Sequence, residues 1–109
     1  MAKALTKKQI KTKLKSLDAG WSLGRDDTSL VRNFTFDTYL TAFMFVTKLS
    51  VYAQVINHHP EVKLSYGLVV ITLSTHDTKQ LSDLDFTLAS HCDSIYTLST
   101  PLKRLRKIK

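Results

Sequence analysis

The 109-residue chain has little of what many protein classes require. It has one cysteine, Cys92, so no disulfide can form within it. This excludes the small disulfide-stapled scaffolds and suits a reducing compartment. Its three glycines, Gly20, Gly24 and Gly67, are too few and too scattered for a phosphate cradle. No GxSxG or CxxC run occurs either, which removes the nucleophile elbow and the redox dithiol. Two prolines and no low-complexity stretch leave no sign of a linker. No uninterrupted run of about 18 apolar residues is present, so no membrane-spanning helix is expected. The basic N-terminus has no apolar segment behind it, so no signal peptide is expected. A single domain over residues 1–109 with a basic tail from about 102 is the expectation, in the cytoplasm, with the nucleus as a second location.

The net charge of +7 suggests a nucleic-acid partner, but its distribution argues against one. Residues 1–17 hold six lysines and no acid, and residues 103–109 hold five basic residues and no acid. The middle keeps five basic and nine acidic residues. A nucleic-acid domain normally concentrates its basic charge on the face that docks, whereas here it lies at the two ends.

Periodicity divides the chain into seven elements. Thr6 is a suitable N-cap for a helix over about 6–18, with Ile10, Leu14 and Leu17 on one stripe and Gly20 suited to a left-handed end. Residues 21–25 read as a short strand and 26–28 as a turn. From 30 to 36, Leu30, Arg32, Phe34 and Phe36 alternate with Val31, Asn33 and Thr35, as in a strand. Asp37 is an N-cap candidate for a long helix over 38–57, whose single charge is Lys48. A helix so apolar must bury more than one face, most simply against the sheet and a second subunit. Pro60 is expected to stop it.

Residues 62–66 and 68–75 read as two strands joined at Tyr66-Gly67. Val69, Ile71 and Leu73 share one face, and Thr72, Ser74 and His76 continue the other. Ser82, with Asp85 three residues on, opens a third helix carrying Leu84, Leu88, Cys92 and Ile95, with Pro101 at its exit. The order α-β-β-α-β-β-α with short hairpins is an α+β fold, an antiparallel sheet with helices gathered on one face.

Histidine is the chemistry-bearing residue that stands out. His58, His59 and His76 cluster around the second hairpin, and a side chain that titrates near neutrality can both give and take a proton. Residue type alone leaves three readings open: capping and surface histidines, a metal site, or a metal-free acid/base site. Adjacent histidines seldom serve one ion, and no cysteine or close carboxylate completes a tetrahedral set. Cys92 falls among core positions of the third helix, and His91 reads as a helix-surface residue.

The spacing of these residues resembles the signature of the pterin-4a-carbinolamine dehydratase family. Gln54, three residues, His58-His59-Pro60, five residues, Tyr66, nine residues, His76, eight residues and Asp85 follow that pattern. Gln54 stands where the family usually has a charged residue. Gly20-Trp21, Phe34-Thr35-Phe36, Leu73-Ser74-Thr75-His76-Asp77 and Leu84-Asp85 look like further landmarks, so the resemblance covers roughly residues 5–98.

The resemblance implies a four-stranded antiparallel sheet with three helices on one side. It implies dehydration of 4a-hydroxytetrahydrobiopterin to quinonoid dihydrobiopterin, with no metal or redox cofactor. His58 and His76 would be the acid/base residues, and His59 would position the pterin or share the work. Pro60 would shape the turn that presents the pair. Asp85 would orient a histidine or only cap the third helix. Ser74 and Thr75 would bind the ring, or Thr75 would be only a strand residue. Gln54 can hydrogen-bond but cannot act as a base. The implied partners are a small-molecule pterin and further copies of the chain, as a dimer or dimer of dimers through the 38–57 helix and the sheet edges. Some members of the family also serve as a dimerisation cofactor for a transcription factor, a protein-binding alternative that would use the same helix surface.

Overall fold

A computed structural model describes residues 2–108, excluding the side chains of Arg25 and of residues 99–108. Helix α1 (Lys7–Ser16) begins at Thr6 with a full capping box. Thr6 Oγ1 accepts from the Gln9 N–H at 3.2 Å, and Gln9 Oε1 accepts from the Thr6 N–H at 2.9 Å. Ile10 is buried in the core, with Leu14 and Leu17 packed beside it. The helix stops at Ser16 with Leu17 extended, short of the expected Gly20. Gly20 serves a different purpose: a Cβ there would lie 2.5 Å from Arg32 Nε.

Strand β1 is only Ser22–Leu23, because Trp21 turns into the core and Arg25–Asp27 form a 3-10 turn. Asp26 and Asp27 both take left-handed backbone there, with φ of 61° and 56°. Strand β2 (Leu30–Thr35) buries Leu30 and Phe34. Helix α2 (Tyr39–Ile56) is capped by Thr38 rather than Asp37, since Thr38 Oγ1 accepts from the Thr41 N–H at 3.1 Å. Its buried stripe is Ala42, Phe45, Leu49 and Ala53. It ends at Asn57, whose left-handed backbone (φ 53°, ψ 44°) reverses the chain before Pro60 is reached.

By length and composition α2 is apolar enough to cross a membrane, with mean hydropathy 1.3 over 18 residues. This corrects the expectation that no segment is. Polar residues such as Thr47 and Ser50 break the run without lowering the average enough to matter. A core helix meets the same criterion, and Ala42, Phe45 and Leu49 of α2 pack in one core cluster with Phe34, Val69 and Ile71.

Strands β3 (Glu61–Ser65) and β4 (Leu68–Leu73) form a hairpin around Tyr66-Gly67. Gly67 has φ +70°, and a Cβ there would come within 2.9 Å of the Phe36 carbonyl oxygen. The sheet order is β1-β2-β4-β3, with all three pairings antiparallel. Val69, Ile71 and Leu73 are buried, and their alternates are not. Helix α3 (Asp83–Ile108) buries Leu88, Ala89, Cys92 and Ile95. It passes Pro101, where an exit was expected; a proline removes one helical bond without obliging the helix to end there. The side chains of the basic tail at 102–109 lie outside the described residues. Three helices and a four-stranded antiparallel sheet reproduce the expected α+β order.

The core is aromatic. Phe34 meets Phe45 at 4.8 Å between ring centroids, Tyr96 at 4.9 Å and Trp21 at 5.9 Å. Arg32 shares its strand face and lies 4.6 Å above the Phe34 ring. Its guanidinium meets Asp93 at 2.7 Å, and Asp93 also accepts from the Trp21 indole N–H at 2.9 Å. Burial pushes the Asp93 carboxyl up from its ordinary value, while Trp21 and Arg32 pull it back. Burial also pushes the Cys92 thiol up to about 12, leaving it inert as a nucleophile. His91 is not a free surface residue: its ring stacks on Tyr52 at 3.6 Å and 14°, and burial lowers its pKa.

Candidate active site

Three elements converge where α2 ends, β4 ends and α3 begins. The reversal at Asn57 is closed by the His58 N–H, which bonds the Ala53 carbonyl at 3.0 Å. This turns the His58 side chain toward α3. Its Nε2 lies 2.7 Å from Asp85 Oδ1. Asp85 is fully buried, on the first turn of α3. Its other oxygen, Oδ2, accepts from the Thr75 hydroxyl at 2.6 Å and from the Ser82 N–H at 3.0 Å. The Thr75 and Ser82 hydroxyls are themselves 2.7 Å apart.

Strand parity explains Thr75. Val69, Ile71 and Leu73 face the core, and Thr75 continues that alternation past the end of β4. The Ser82/Asp85 pairing is half of a capping box: the Asp85 carboxylate takes the Ser82 N–H, but the Ser82 hydroxyl goes to Thr75. Asp85 is therefore both a cap and a histidine partner, the two roles that sequence left as alternatives.

The remaining candidates lie around this cluster. His59 is exposed, and its Nε2 is 2.9 Å from Gln54 Oε1 on the last turn of α2. Pro60 follows directly and is half-buried. His76 is exposed next to Thr75, and its carbonyl accepts from the Lys79 N–H at 3.2 Å. Ser74 is half-buried on the opposite parity. Hydrogen bonds thus bring His58, Thr75 and Asp85 together and join Gln54 to His59. Among the described residues no such bond ties His76 or Ser74 to the cluster. Sequence reasoning missed Ser82 as a member. Its spacing to Asp85 was legible only as a helix start. Among the described residues no group of three or more His, Cys, Asp or Glu is arranged to hold a metal ion.

A family model described as pterin 4 alpha carbinolamine dehydratase matches residues 3–95. The chain belongs to this family. A Rhizobium meliloti protein provisionally named a pterin-4-alpha-carbinolamine dehydratase is 45% identical over 74 residues, covering 68% of this chain and 71% of the relative. The Drosophila melanogaster pterin-4-alpha-carbinolamine dehydratase is 39% identical over 82 residues, covering 75% of this chain and 43% of the longer fly protein. A crystal structure from Brucella melitensis, described as a transcriptional coactivator/pterin dehydratase, superposes with a TM-score of 0.82 at 32% identity. The match covers 86% of this chain and 99% of that one. A pterin dehydratase-like RuBisCO assembly factor of the alpha-carboxysome shares the fold, with a TM-score of 0.63 at 20% identity over 72% of this chain and 92% of its own.

Proposed function

We propose that this chain is a hydro-lyase that converts 4a-hydroxytetrahydrobiopterin to quinonoid dihydrobiopterin and water by histidine acid/base catalysis. The observation that carries the reading is His58, held 2.7 Å from a fully buried Asp85, with His59 beside it. His76 follows Thr75, which is itself bonded to Asp85, so the third histidine begins one residue from the same cluster.

Dehydration breaks the bond between C4a and its hydroxyl. A proton must reach the departing oxygen, and another must leave the adjacent ring nitrogen as the C=N double bond forms. Two histidines supply both transfers and need no metal or redox partner. Catalysis of this kind contributes about 10²–10⁴-fold. A stopped assay of 4a-hydroxytetrahydropterin breakdown tests the reading: the wild-type protein accelerates it, and a rate equal to the protein-free one overturns the assignment.

Gln54 departs from the usual charged residue of the family, and its amide oxygen faces His59. A neutral amide holds an imidazole less firmly than a carboxylate does. Gln54→Glu is expected to lower KM for the pterin roughly fivefold, about the gain from making one hydrogen bond charge-assisted, with kcat little changed. If neither constant moves, His59 does not position the pterin.

The same reading includes self-association, as a dimer or dimer of dimers. Leu40, Phe43, Met44, Val51 and Val55 of α2 remain exposed, Val55 at 77%, beside a groove of ≈ 620 Å³. Such a face is a costly surface for an isolated chain. Phe43→Glu with Val51→Glu is expected to reduce the solution mass to that of one chain, read by sedimentation equilibrium. A wild-type protein that sediments as one chain across the micromolar range overturns this part.

A further inference from the structure

The protons around Asp85 can be counted one at a time. The Thr75 hydroxyl donates to Asp85 Oδ2 at 2.6 Å. A hydroxyl carries one proton, so the 2.7 Å contact between Thr75 and Ser82 runs the other way, with Ser82 donating and Thr75 accepting. The Ser82 N–H is the second donor to Oδ2, at 3.0 Å. Oδ2 therefore accepts twice and carries no proton itself, which leaves Oδ1 facing His58 Nε2 at 2.7 Å; a carboxylate oxygen there can only accept.

We infer that His58 carries its proton on Nε2, that Nδ1 is the atom which meets the substrate, and that Thr75 and Ser82 are positioning residues which set this arrangement through Asp85. The catalytic part of this inference rests on the function proposed above; the tautomer does not.

Nδ1 is suited to the task. It has no hydrogen-bond partner among the described residues. It is also absent from the buried unpaired side-chain atoms, of which Arg32 Nε is the one described. Nδ1 therefore reaches solvent, although the His58 side chain is only 11% exposed. A neutral imidazole protonated on Nε2 can only accept at Nδ1. His58 is then the base: Nδ1 takes the proton from the ring nitrogen, and the departing hydroxyl takes its proton from another donor, the role proposed above for His76. Water leaves, and the two histidines exchange their protons with solvent to close the cycle. The imidazolium formed on His58 keeps its Nε2–H on the buried carboxylate, which stabilises it and holds the ring in orientation, as in Asp–His pairs generally.

Thr75 and Ser82 act at one remove. They are 6% and 0% exposed, and both hydroxyls are committed within the cluster. Their hydroxyls therefore touch Asp85 and each other, not a pterin. Without the Thr75 donor, the carboxylate can rotate or take a proton, and the His58 tautomer is no longer dictated.

The test joins a spectroscopic and a kinetic readout on the full chain. Nitrogen-15 NMR of the imidazoles in the neutral wild-type protein is expected to show His58 protonated on Nε2 and bare on Nδ1. Thr75→Val, which keeps shape and removes the hydroxyl, is expected to mix the two tautomers. It is also expected to lower kcat roughly tenfold, the rate equivalent of one hydrogen bond to a charged group, with KM little changed. Thr75→Ser restores both, and Ser82→Ala gives a smaller loss of the same kind. A wild-type His58 found mainly with its proton on Nδ1 overturns the inference without any variant having to fold. So does a folded Thr75→Val protein with unchanged tautomer and kcat. An inactive wild-type protein with the Nε2-protonated tautomer sinks the proposed function and leaves the proton order standing.

Discussion

Replacing His58 and His76 together by alanine is expected to lower kcat for pterin dehydration by about 10²–10⁴-fold while the fold persists. The structure explains why activity and stability separate here. His76 is exposed past the end of β4, so its truncation removes no core contact. His58 is more enclosed, but its loss leaves Asp85 with the Thr75 hydroxyl and the Ser82 N–H still in place. The stability cost is therefore that of one hydrogen bond to a charged group, about 1.5–3 kcal/mol. The two single variants are each expected to show most of the double variant's loss, because groups that act in one proton transfer sequence are not additive. Steady-state assays beside thermal unfolding read both quantities. A double variant as fast as wild type would falsify the catalytic assignment. An inactive variant that has also lost its cooperative unfolding transition would show instead that His58 matters to the fold.

The fold was legible in the chain because its elements are marked twice, by period and by punctuation. The alternation of Leu30, Arg32, Phe34 and Phe36 and the spacing of Leu88, Cys92 and Ile95 follow from burying one face, and the burial agrees. Element ends were less legible, because several local signals compete for each one. Asp37 and Thr38 are both good caps, and it is Thr38 that stands at the N-cap, accepting from the Thr41 N–H. Pro60 announces a stop, but Asn57 reaches left-handed backbone first. Gly20 looks like a helix end and is instead the space that Arg32 occupies. The site divided along the same line. His58 and Asp85 came together through motif spacing rather than periodicity; Thr75, read as a ring-binding or strand residue, joins them just past the end of β4 through its bond to Asp85. Ser82 escaped because its hydroxyl partner, Thr75, comes from a different element, and a hydrogen bond across seven residues has no signature in one sequence. Asp93 and Arg32 escaped similarly, being joined across 61 residues.

Phe34→Ala is expected to be the most destabilising single truncation of the core, at about 3–5 kcal/mol. Phe34 is fully buried and lies within 6 Å, centroid to centroid, of Trp21, Phe45 and Tyr96. Those rings come from the loop before β1, from α2 and from α3, so the cavity opens where three elements meet. None can move in to fill it without giving up part of its own packing. Arg32 loses the nearer of its two aromatic faces at the same time, although the Tyr96 ring and the bond to Asp93 remain. Domains of this size have only about 5–15 kcal/mol in all. The melting temperature should fall by about 4–8 °C for each kcal/mol lost, at fixed protein concentration. Urea unfolding should show a lower midpoint with an unchanged slope, because the surface exposed on unfolding hardly changes. Val55→Ala on the exposed face of α2 is the comparison, and within a single chain it should cost under about 0.5 kcal/mol. The effect should also reach the site. Phe34 pairs with Val69 across the β2–β4 ladder, and β4 leads into Thr75. Phe45, on the helix whose C-cap Asn57 precedes His58, is its closest aromatic neighbour. A folded Phe34→Ala protein should therefore lose His58 alignment before it loses the sheet, with kcat falling at temperatures below the unfolding transition. Loss of activity only in step with global unfolding would show that the His58–Asp85–Thr75 cluster is held by its own hydrogen bonds and not by the core beneath it.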